Sequence, residues 1–510
     1  MSGSTEVERR SGRGRCMVAT KKLNVGELIL EVQPLSAALN DDEARAHCAC
    51  CFGSTRDIHG GSGTRCSGCK MIWYCSRKCQ KIDWREHRPE CKAWTSAQTG
   101  RMPTQTLRLA GRILHAMNRS DSDHSSSQVR EAVGELVHHN DERAPEQKEE
   151  YRLMAAFVAR MCVAGSGKKA LLWPSACNRG FLGLVDAAYS VLGKVSCNVF
   201  AVVLEVESCI AGCALYLQAA TANHSCAPNA VQSFDGRVLS LRCIRPIMKS
   251  EEITVGIIEL HRHSAARQQS LRTSYFFECQ CDRCSSEGAD AEDARLTGYA
   301  CPDKRCPGVC ANGRLGSSRE RSPSPSDEEK ASSAVNTLPE CDDRGCLLCS
   351  ICGASRSAED ADRESRAIDE LKIRGKAFCS SGKELEGKLV LEEALQRGIN
   401  CLHRGNWVLS DLFAELSSVC VHLQDLEGAA KHALNGMETH KACFSGLLPY
   451  CTPWVKRLAI VGKLLLVLGQ PAEARALLEE ALSTICITHG DQHPYYREVG
   501  GLFDQARACG

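Results

Sequence analysis

The sequence predicts an α+β protein of several domains. Three observations predict it. Glycine-punctuated apolar and β-branched runs occur at residues 17–32 and again at 199–255; eight Cys and His residues with metal-ligand spacing crowd residues 48–91; and residues 360–510 carry helical patterning that repeats. A chain of 510 residues is too long for one ordinary core, so about two to four domains are expected. With 63 Lys and Arg against 62 Asp and Glu, the formal net charge is +1, and bulk charge gives no argument for nucleic acid or membrane. The 33 cysteines are the compositional outlier. Met1 to Arg15 is polar and basic without an apolar core, so no secretory signal is expected, and no apolar run approaches the roughly 20 residues of a spanning helix. Cysteines this dense without a leader point to a reducing compartment, where clustered thiols hold metal.

Gly12-Arg13-Gly14-Arg15-Cys16 precedes Met17-Val18-Ala19-Thr20, and Val25 to Val32 follows; the pattern reads as strand, turn at Gly26, strand. Glycines before a strand let backbone approach a ligand closely, although a lone Gly-x-Gly is a weak signal and by itself reads as a plain turn. Cys48-x-x-Cys51, Cys66-x-x-Cys69, Cys75-x-x-x-Cys79 and His87-x-x-x-Cys91 then supply eight ligands within forty-four residues. Structural zinc takes four tetrahedral ligands in a closed site, so eight imply two ions. A segment this short buries too little core to fold alone, so metal must supply its folding energy. Cys50 reads as a spare thiol, and spacing alone does not pair the eight.

Leu107, Leu109, Ile113, Leu114 and Met117, then Val133, Leu136 and Val137, then Tyr151 to Val163, predict helices, with a polar break over Ser120 to Ser127. Ala164-Gly165-Ser166-Gly167-Lys168-Lys169 lacks the full spacing of a phosphate loop and carries no function. Ser196 to Val203 reads as a turn into a buried strand, with Asn198 open to either a turn-capping or a ligand role. Ala222-Asn223-His224-Ser225-Cys226-Ala227-Pro228-Asn229 joins a polar pair, a thiol and a Pro-fixed turn. Cys279-x-Cys281-x-x-Cys284 offers only three ligands where a closed zinc site needs four, and Cys226 is the candidate fourth. Phe234-Asp235-Gly236-Arg237 predicts a hairpin turn into strand Val238 to Cys243; Ile244 to Val255 reads as strand, acidic turn, strand; and Arg262 to Arg272 reads as a helix.

Farther on, Cys301-x4-Cys306 and Cys349-x-x-Cys352 look like the knuckles of a zinc ribbon, with Cys310, Cys341 and Cys346 as competing ligands. Asn312 to Leu338, with its Ser322-Pro323 and Ser324-Pro325 steps, has a composition expected to be disordered and open to phosphorylation. Gly387, Gly428 and Gly469 recur at about 41 residues in similar helical surroundings, somewhat longer than a tetratricopeptide repeat of about 34. His489 and His493 have ligand-like spacing but read as part of the last turn.

Asn223-His224-Ser225-Cys226-x-Pro228-Asn229 resembles the cofactor motif of SET-domain lysine methyltransferases, and Tyr74-Cys75-x-x-x-Cys79-Gln80 with Trp84 and His87-x-x-x-Cys91 resembles the MYND finger. Over most of its length the chain is therefore similar to the SET and MYND domain-containing protein lysine methyltransferases. The resemblance implies a SET β-fold split by a MYND zinc finger and a helical insertion, then a post-SET zinc site, a zinc-ribbon-like segment and a C-terminal TPR-like α-helical domain. The implied boundaries are 1–47 (first part of SET), 48–91 (MYND), 92–195 (helical insertion), 196–262 (SET core), 263–300 (post-SET), 301–359 (ribbon-like, with the disordered insert) and 360–510 (TPR-like).

It further implies crossed finger pairing, Cys48, Cys51, Cys75 and Cys79 on one ion and Cys66, Cys69, His87 and Cys91 on the other. A zinc held by Cys226, Cys279, Cys281 and Cys284 follows, and a further zinc is expected at Cys301, Cys306, Cys349 and Cys352. S-adenosylmethionine would lie against Arg13, Gly14, Arg15, Asn198, Asn223, His224 and Phe277, with Tyr275 as the catalytic hydroxyl. The implied partners are a histone or non-histone lysine substrate and a proline-rich peptide on the finger. The basic face of Lys70, Arg77, Lys78, Lys81, Arg85 and Arg88 makes DNA contact a weaker expectation beside an ordinary solvated surface. A monomer in nucleus or cytoplasm, away from membrane, completes the expectation. One departure falls at the chemistry: where the family carries a tyrosine before Ile258-Glu259-Leu260, this chain has Ile257. A catalytically silent adaptor working through the finger and the helices is the alternative that Ile257 favours.

Overall fold

The computed structural model describes residues 3–55, 63–97, 101–118, 125–166, 180–206, 208–285, 289–311, 345–444 and 452–509. The architecture is α+β, and the chain forms two compact units. The first comprises residues 1–257, 270–278 and 485–498; the second comprises 258–269, 279–484 and 499–510.

The first unit is made of several short sheets. Thr5–Arg10 and Gly14–Ala19 form an antiparallel hairpin whose turn holds Gly12 and Gly14 in left-handed conformations (φ +71° and +68°). Only glycine adopts that backbone without strain, which explains both glycines of Gly12-Arg13-Gly14. The Thr5–Arg10 strand is not one that the sequence pattern predicts: its residues, TEVERR, are mostly charged and its face is largely exposed. Leu28–Val32 pairs with Val238–Cys243, which pairs with Ala230–Asp235 through the Gly236 turn (φ +55°). Ser36–Leu39 pairs with Cys209–Leu215, which pairs with Phe200–Leu204.

In both sheets a strand before residue 40 pairs with one beyond residue 200, so the finger and helices between them are an insertion into a single β-core. The sequence reading of Ser196–Asn198 as a turn is corrected: these residues end the helix Phe181–Asn198, which the buried Val191, Leu192 and Val195 hold on through what looks like breaker sequence. Of Ile244–Val255 only Thr254–Val255 forms a strand, parallel to Asn223–His224. The rest makes single bridges, Leu23 with Ile247 and Val18 with Glu252.

Helix Gln105–Met117 carries the predicted stripe: Leu109, Ile113, Leu114 and Met117 are buried with Val133, Leu136, Val158, Val191 and Leu192, whereas Val137 lies exposed beyond helix Ser125–Gly134. Helix Pro145–Ser166 covers Tyr151 to Val163. Residues 485–498 also belong to this unit. His493 Nε2 lies 3.0 Å from the Phe234 carbonyl, and His489 stands 3.5 Å from the buried Glu205. The two histidines serve the turn, as the sequence indicated.

In the second unit, helix Ala289–Thr297 leads into an antiparallel sheet of Tyr299–Ala300, Val309–Ala311, Cys346–Cys349 and Ser355–Ser357. Helices Ala358–Ser380, Glu384–Cys401, Trp407–His422, Leu426–Phe444 and Thr452–Val467 follow, then Pro471–Thr488, whose residues up to Thr484 belong to this unit. Asn406 caps Trp407–His422 by accepting the Val408 N–H at 3.0 Å. Gly375 and Gly387 are both buried where the first two of these helices cross; a Cβ on Gly375 would stand 2.7 Å from Leu391 Cγ. The expected disorder of Asn312–Leu338, its Ser-Pro steps and Cys341 lie outside the described residues. Among the described residues, no helix is long and apolar enough to cross a membrane.

His440 in helix Leu426–Phe444 stacks on Trp454 (5.4 Å between centroids, 12° between planes). Burial, then the neighbouring Arg457 and His261, push its pKa down to about 3. An imidazole whose folded pKa is below its unfolded value of about 6.5 stays neutral in the fold. Its contribution is therefore whole above that pH and declines as pH falls toward 3. Between about pH 7.5 and pH 5.5 the thermal midpoint of the wild type should drop more than that of His440→Gln; equal slopes would remove His440 as a source of acid sensitivity.

Candidate active site and metal centres

Two sets of four ligands converge in the finger: Cys48, Cys51, Cys75 and Cys79, and Cys66, Cys69, His87 and Cys91, each with its ligand atoms within 4.8 Å of one another. Two ligands on a tetrahedral zinc at bond lengths of 2.0–2.3 Å are about 3.3–3.8 Å apart. The observed edges match: Cys51 to Cys75 is 3.7 Å, Cys75 to Cys79 3.3 Å, Cys66 to Cys91 3.8 Å and Cys69 Sγ to His87 Nε2 3.4 Å. The crossed arrangement arises because strand Trp73–Tyr74 and helix Arg77–Ala97 fold back over the two Cys-x-x-Cys turns. Cys50 is buried outside both sets.

The second set has a built outer shell. His87 Nδ1 faces Glu90 at 3.3 Å. Arg112 of helix Gln105–Met117 grips that carboxylate with two bonds, Nε to Oε1 at 2.9 Å and Nη2 to Oε2 at 2.8 Å. Its Nη1 reaches the Ala37 carbonyl at 3.0 Å and Asp83 at 3.3 Å, and the Tyr74 hydroxyl donates to Asp83 at 2.6 Å. Arg112 is 3% exposed. A carboxylate on the far nitrogen fixes the tautomer and ring plane of a ligating histidine, so the helical insertion orients a finger ligand. No sequence pattern signals this network, because its partners lie 22 and 29 positions apart.

The SET-like loop is knit as tightly. Asn223 Nδ2 donates to the carbonyls of Arg13 and Arg15 at 3.2 Å each and to Glu252 at 2.9 Å, and lies 3.3 Å from Cys16 Sγ. Arg13 pairs with Glu252 at 3.0 Å, and Arg15 with Glu135 at 3.0 Å. Arg13, Gly14, Arg15 and Asn223 are thus brought together, with Glu252 as the member that sequence reading missed. No heavy atom lies within 4 Å of the place a Cβ on Gly14 would take. The Asn198 amide donates to the carbonyls of Val137 and Lys194, both at 2.8 Å, at the end of its helix.

His224 has both ring nitrogens engaged. Nδ1 accepts the Ile257 N–H at 3.2 Å, so the neutral ring carries its proton on Nε2, 3.3 Å from Cys226 Sγ. The ring is thus held on both nitrogens by neighbouring residues of the chain. Phe277 lies tilted against that ring, 6.2 Å away and partly exposed. Ile257 is pinned a second time, because the Tyr275 hydroxyl donates to its carbonyl at 3.4 Å. The Ile257 side chain packs against the apolar core. Burial raises the Tyr275 pKa above that of an ordinary phenol, with Cys197 adding to the shift, so the hydroxyl stays neutral.

Beyond Tyr275, Phe276 takes a left-handed backbone (φ +61°), unusual for a bulky residue. Its ring stacks on His139 at 5.3 Å, and the Arg143 guanidinium sits 5.1 Å over it and 4.1 Å over Tyr151. These contacts offset the backbone strain beside Tyr275 and Phe277.

In the second unit, the sulfurs of Cys279, Cys281 and Cys284 lie within 4.8 Å of one another. Gln268 brackets Cys279 by accepting its N–H at 2.9 Å and donating to its carbonyl at 2.7 Å, and the Cys284 N–H closes a turn on Cys281 at 2.8 Å. Cys301, Cys306, Cys349 and Cys352 form a fourfold set with tetrahedral edges, 3.4 Å between Cys301 and Cys352 and 3.7 Å between Cys306 and Cys349. Of the competing thiols, Cys310 is buried and Cys346 half-buried, and neither belongs to that set.

Comparison with known proteins bears on the same residues. The MYND finger family matches residues 48–91. Histone-lysine N-methyltransferase ASHR1 of Arabidopsis thaliana is 28% identical over 507 residues, covering 97% of this chain and 94% of that protein. N-lysine methyltransferase SMYD2 is 26% identical in Gallus gallus, covering 98% of this chain and 96% of that protein, and 24% identical in Homo sapiens, covering 96% and 95%. Over nearly its whole length the chain is similar to these lysine methyltransferases, and its residues 48–91 match the MYND finger. In this chain the finger residues are the metal-binding part, and the donor chemistry of its Cys and His sets fits zinc. Ile257, which stands where the resemblance leads to a tyrosine, binds His224 and Tyr275 through its two backbone groups.

Proposed function

We propose that this protein is an S-adenosylmethionine-dependent protein-lysine N-methyltransferase acting on histone or non-histone lysines. The observation that carries the reading is the chain of contacts from Cys226 through His224 and the Ile257 backbone to the Tyr275 hydroxyl. The open space at Gly14, the Arg13 guanidinium and the Glu252 carboxylate fit a ligand with carboxylate and ammonium ends. S-adenosylmethionine, bound there, supplies a methyl carbon on a sulfonium. That methyl group would pass to a lysine amine as its bond to sulfur broke, with S-adenosylhomocysteine as the leaving group.

The residues must supply a neutral, aimed amine. Deprotonating a free lysine near pH 7.4 costs roughly 4 kcal/mol, which an apolar channel beside a sulfonium reduces. The Tyr275 hydroxyl, with its own proton directed at the Ile257 carbonyl, presents lone pairs to an amine N–H and orients the nitrogen. Burial raises the Tyr275 pKa, which favours the neutral hydroxyl and suits the aiming role.

The proposal includes Arg15, Asn198 and Phe277 as cofactor neighbours, two zinc ions in the finger, one at Cys301, Cys306, Cys349 and Cys352, and Cys226 as the fourth ligand with Cys279, Cys281 and Cys284. Exposed Trp84 and Ile82 on the finger helix, amid the exposed Lys78, Lys81, Arg85 and Arg88, suit a proline-rich peptide better than DNA, because DNA needs no apolar platform. A monomer in nucleus or cytoplasm belongs to the same reading.

The test is transfer of labelled methyl from S-adenosylmethionine to lysine in a peptide or protein extract. Cofactor binding without transfer would instead select the silent adaptor, which Ile257 favours by removing a hydroxyl worth about 1 kcal/mol or more. Ile257→Tyr is expected to raise the transfer rate several-fold by restoring that hydroxyl, while its backbone bonds to His224 and Tyr275 persist; an unchanged rate would show that another group already fills the role.

A further inference from the structure

One more set of ligating side chains converges in the first unit, apart from the cysteine sets. The ligand atoms of Glu43, His47 and Cys209 lie within 4.8 Å of one another. The backbone delivers them. A helical turn joins the His47 and Ala46 N–H groups to the Glu43 carbonyl at 3.0 and 3.1 Å, which puts Glu43 and His47, four apart, on one face. Asn40 anchors that turn to strand Cys209–Leu215: its N–H donates to the Ala211 carbonyl and its amide to the Ile210 carbonyl, both at 2.7 Å. Cys209 begins the strand, so the anchor brings its thiol to the turn.

His47 is the informative member. It is 4% exposed, and its buried Nδ1 has no hydrogen-bond partner although Glu43 Oε2 is only 3.0 Å away. The nitrogen and the oxygen approach each other outside hydrogen-bond geometry, and a buried polar atom left so costs about 1–3 kcal/mol. A cation between them satisfies both lone pairs at once. The ligand types narrow its identity. A thiolate, an imidazole and a carboxylate together suit zinc(II) rather than magnesium or calcium, which take oxygen ligands. Three protein ligands leave a fourth position for water, unlike the two closed fourfold sets of the finger, one all-cysteine and the other with a single histidine.

We propose that Glu43, His47 and Cys209 form an additional zinc(II) site with one open position, fastening the turn that leads into the finger to a strand of the β-core. His47 directly precedes the finger ligand Cys48. An ion here therefore stiffens the segment that carries the finger, and its open coordination makes it exchange faster than the closed sets.

The test uses the full chain. Native mass spectrometry of zinc-saturated protein should show one ion more in the wild type than in Cys209→Ser or Glu43→Gln, while Cys162→Ser, a thiol outside every set, leaves the count unchanged. Cobalt(II) added to protein whose closed sets hold zinc should give a thiolate-to-cobalt charge-transfer band that Cys209→Ser abolishes. Should Cys209→Ser fold poorly, Glu43→Gln, altered at a partly exposed side chain, reads the same loss. Equal zinc counts in the wild type and a folded variant, or no cobalt band in the wild type, would overturn the site.

Discussion

Arg112→Ala is expected to destabilise the first unit by about 3–5 kcal/mol, because it leaves the Glu90 and Asp83 carboxylates buried without their cation. Arg112 holds Glu90 by two bonds and Asp83 by a third, inside a network that also takes in the Ala37 carbonyl and the Tyr74 hydroxyl. The same change should loosen zinc at Cys66, Cys69, His87 and Cys91 by about 10- to 100-fold, since Glu90 loses the partner that aims it at His87 Nδ1. Thermal unfolding and zinc release to a colorimetric chelator read the two effects separately. A variant that melts within about 0.5 kcal/mol of the wild type and keeps its zinc would show that the network tolerates an empty centre. Arg112→Lys should recover little, because one ammonium cannot reproduce the paired bonds to Glu90.

Tyr275→Phe should lower kcat for methyl transfer by about 10- to 100-fold while leaving S-adenosylmethionine binding near wild type, since an orienting hydrogen bond is worth about 1–3 kcal/mol in a preorganised site. Phenylalanine keeps the ring and its packing and removes only the hydroxyl directed at the Ile257 carbonyl. Single-turnover rates and cofactor binding, measured on the same preparation, separate aiming from affinity. Unchanged kcat would take Tyr275 out of the chemistry; a parallel loss of cofactor binding would recast it as a packing residue. With Ile257 where the resemblance leads to a tyrosine, the chain has one hydroxyl fewer with which to compensate.

Much of this is legible in the sequence for a physical reason: metal spacing is local and sharp. Ligand pairs two to four residues apart announce a finger whatever the rest of the fold does, and Gly236 announces a turn through a backbone rule of equal range. What stays hidden is long-range or compensated. Thr5–Arg10 forms a strand without an apolar face, stabilised by its ladder to Gly14–Ala19. Ser196–Asn198 looks like a break, yet the packing of Val191, Leu192 and Val195 carries the helix through it. Glu252 and Arg112 are ordinary charges in sequence and become central only when chain folding sets them beside Asn223 and Glu90. The partner of His224 Nδ1 is a backbone N–H that no side-chain pattern records.

Residues 485–498 lie in the first unit although more than two hundred residues separate them from its main body, and His493 meets the carbonyl of Phe234 there. During synthesis the growing polypeptide therefore cannot complete this unit when residue 278 emerges; it must wait for the helical repeats to be translated as well. A nascent chain halted anywhere before residue 485 lacks a segment of the first unit, so vectorial folding of that unit ends only with residues 485–498.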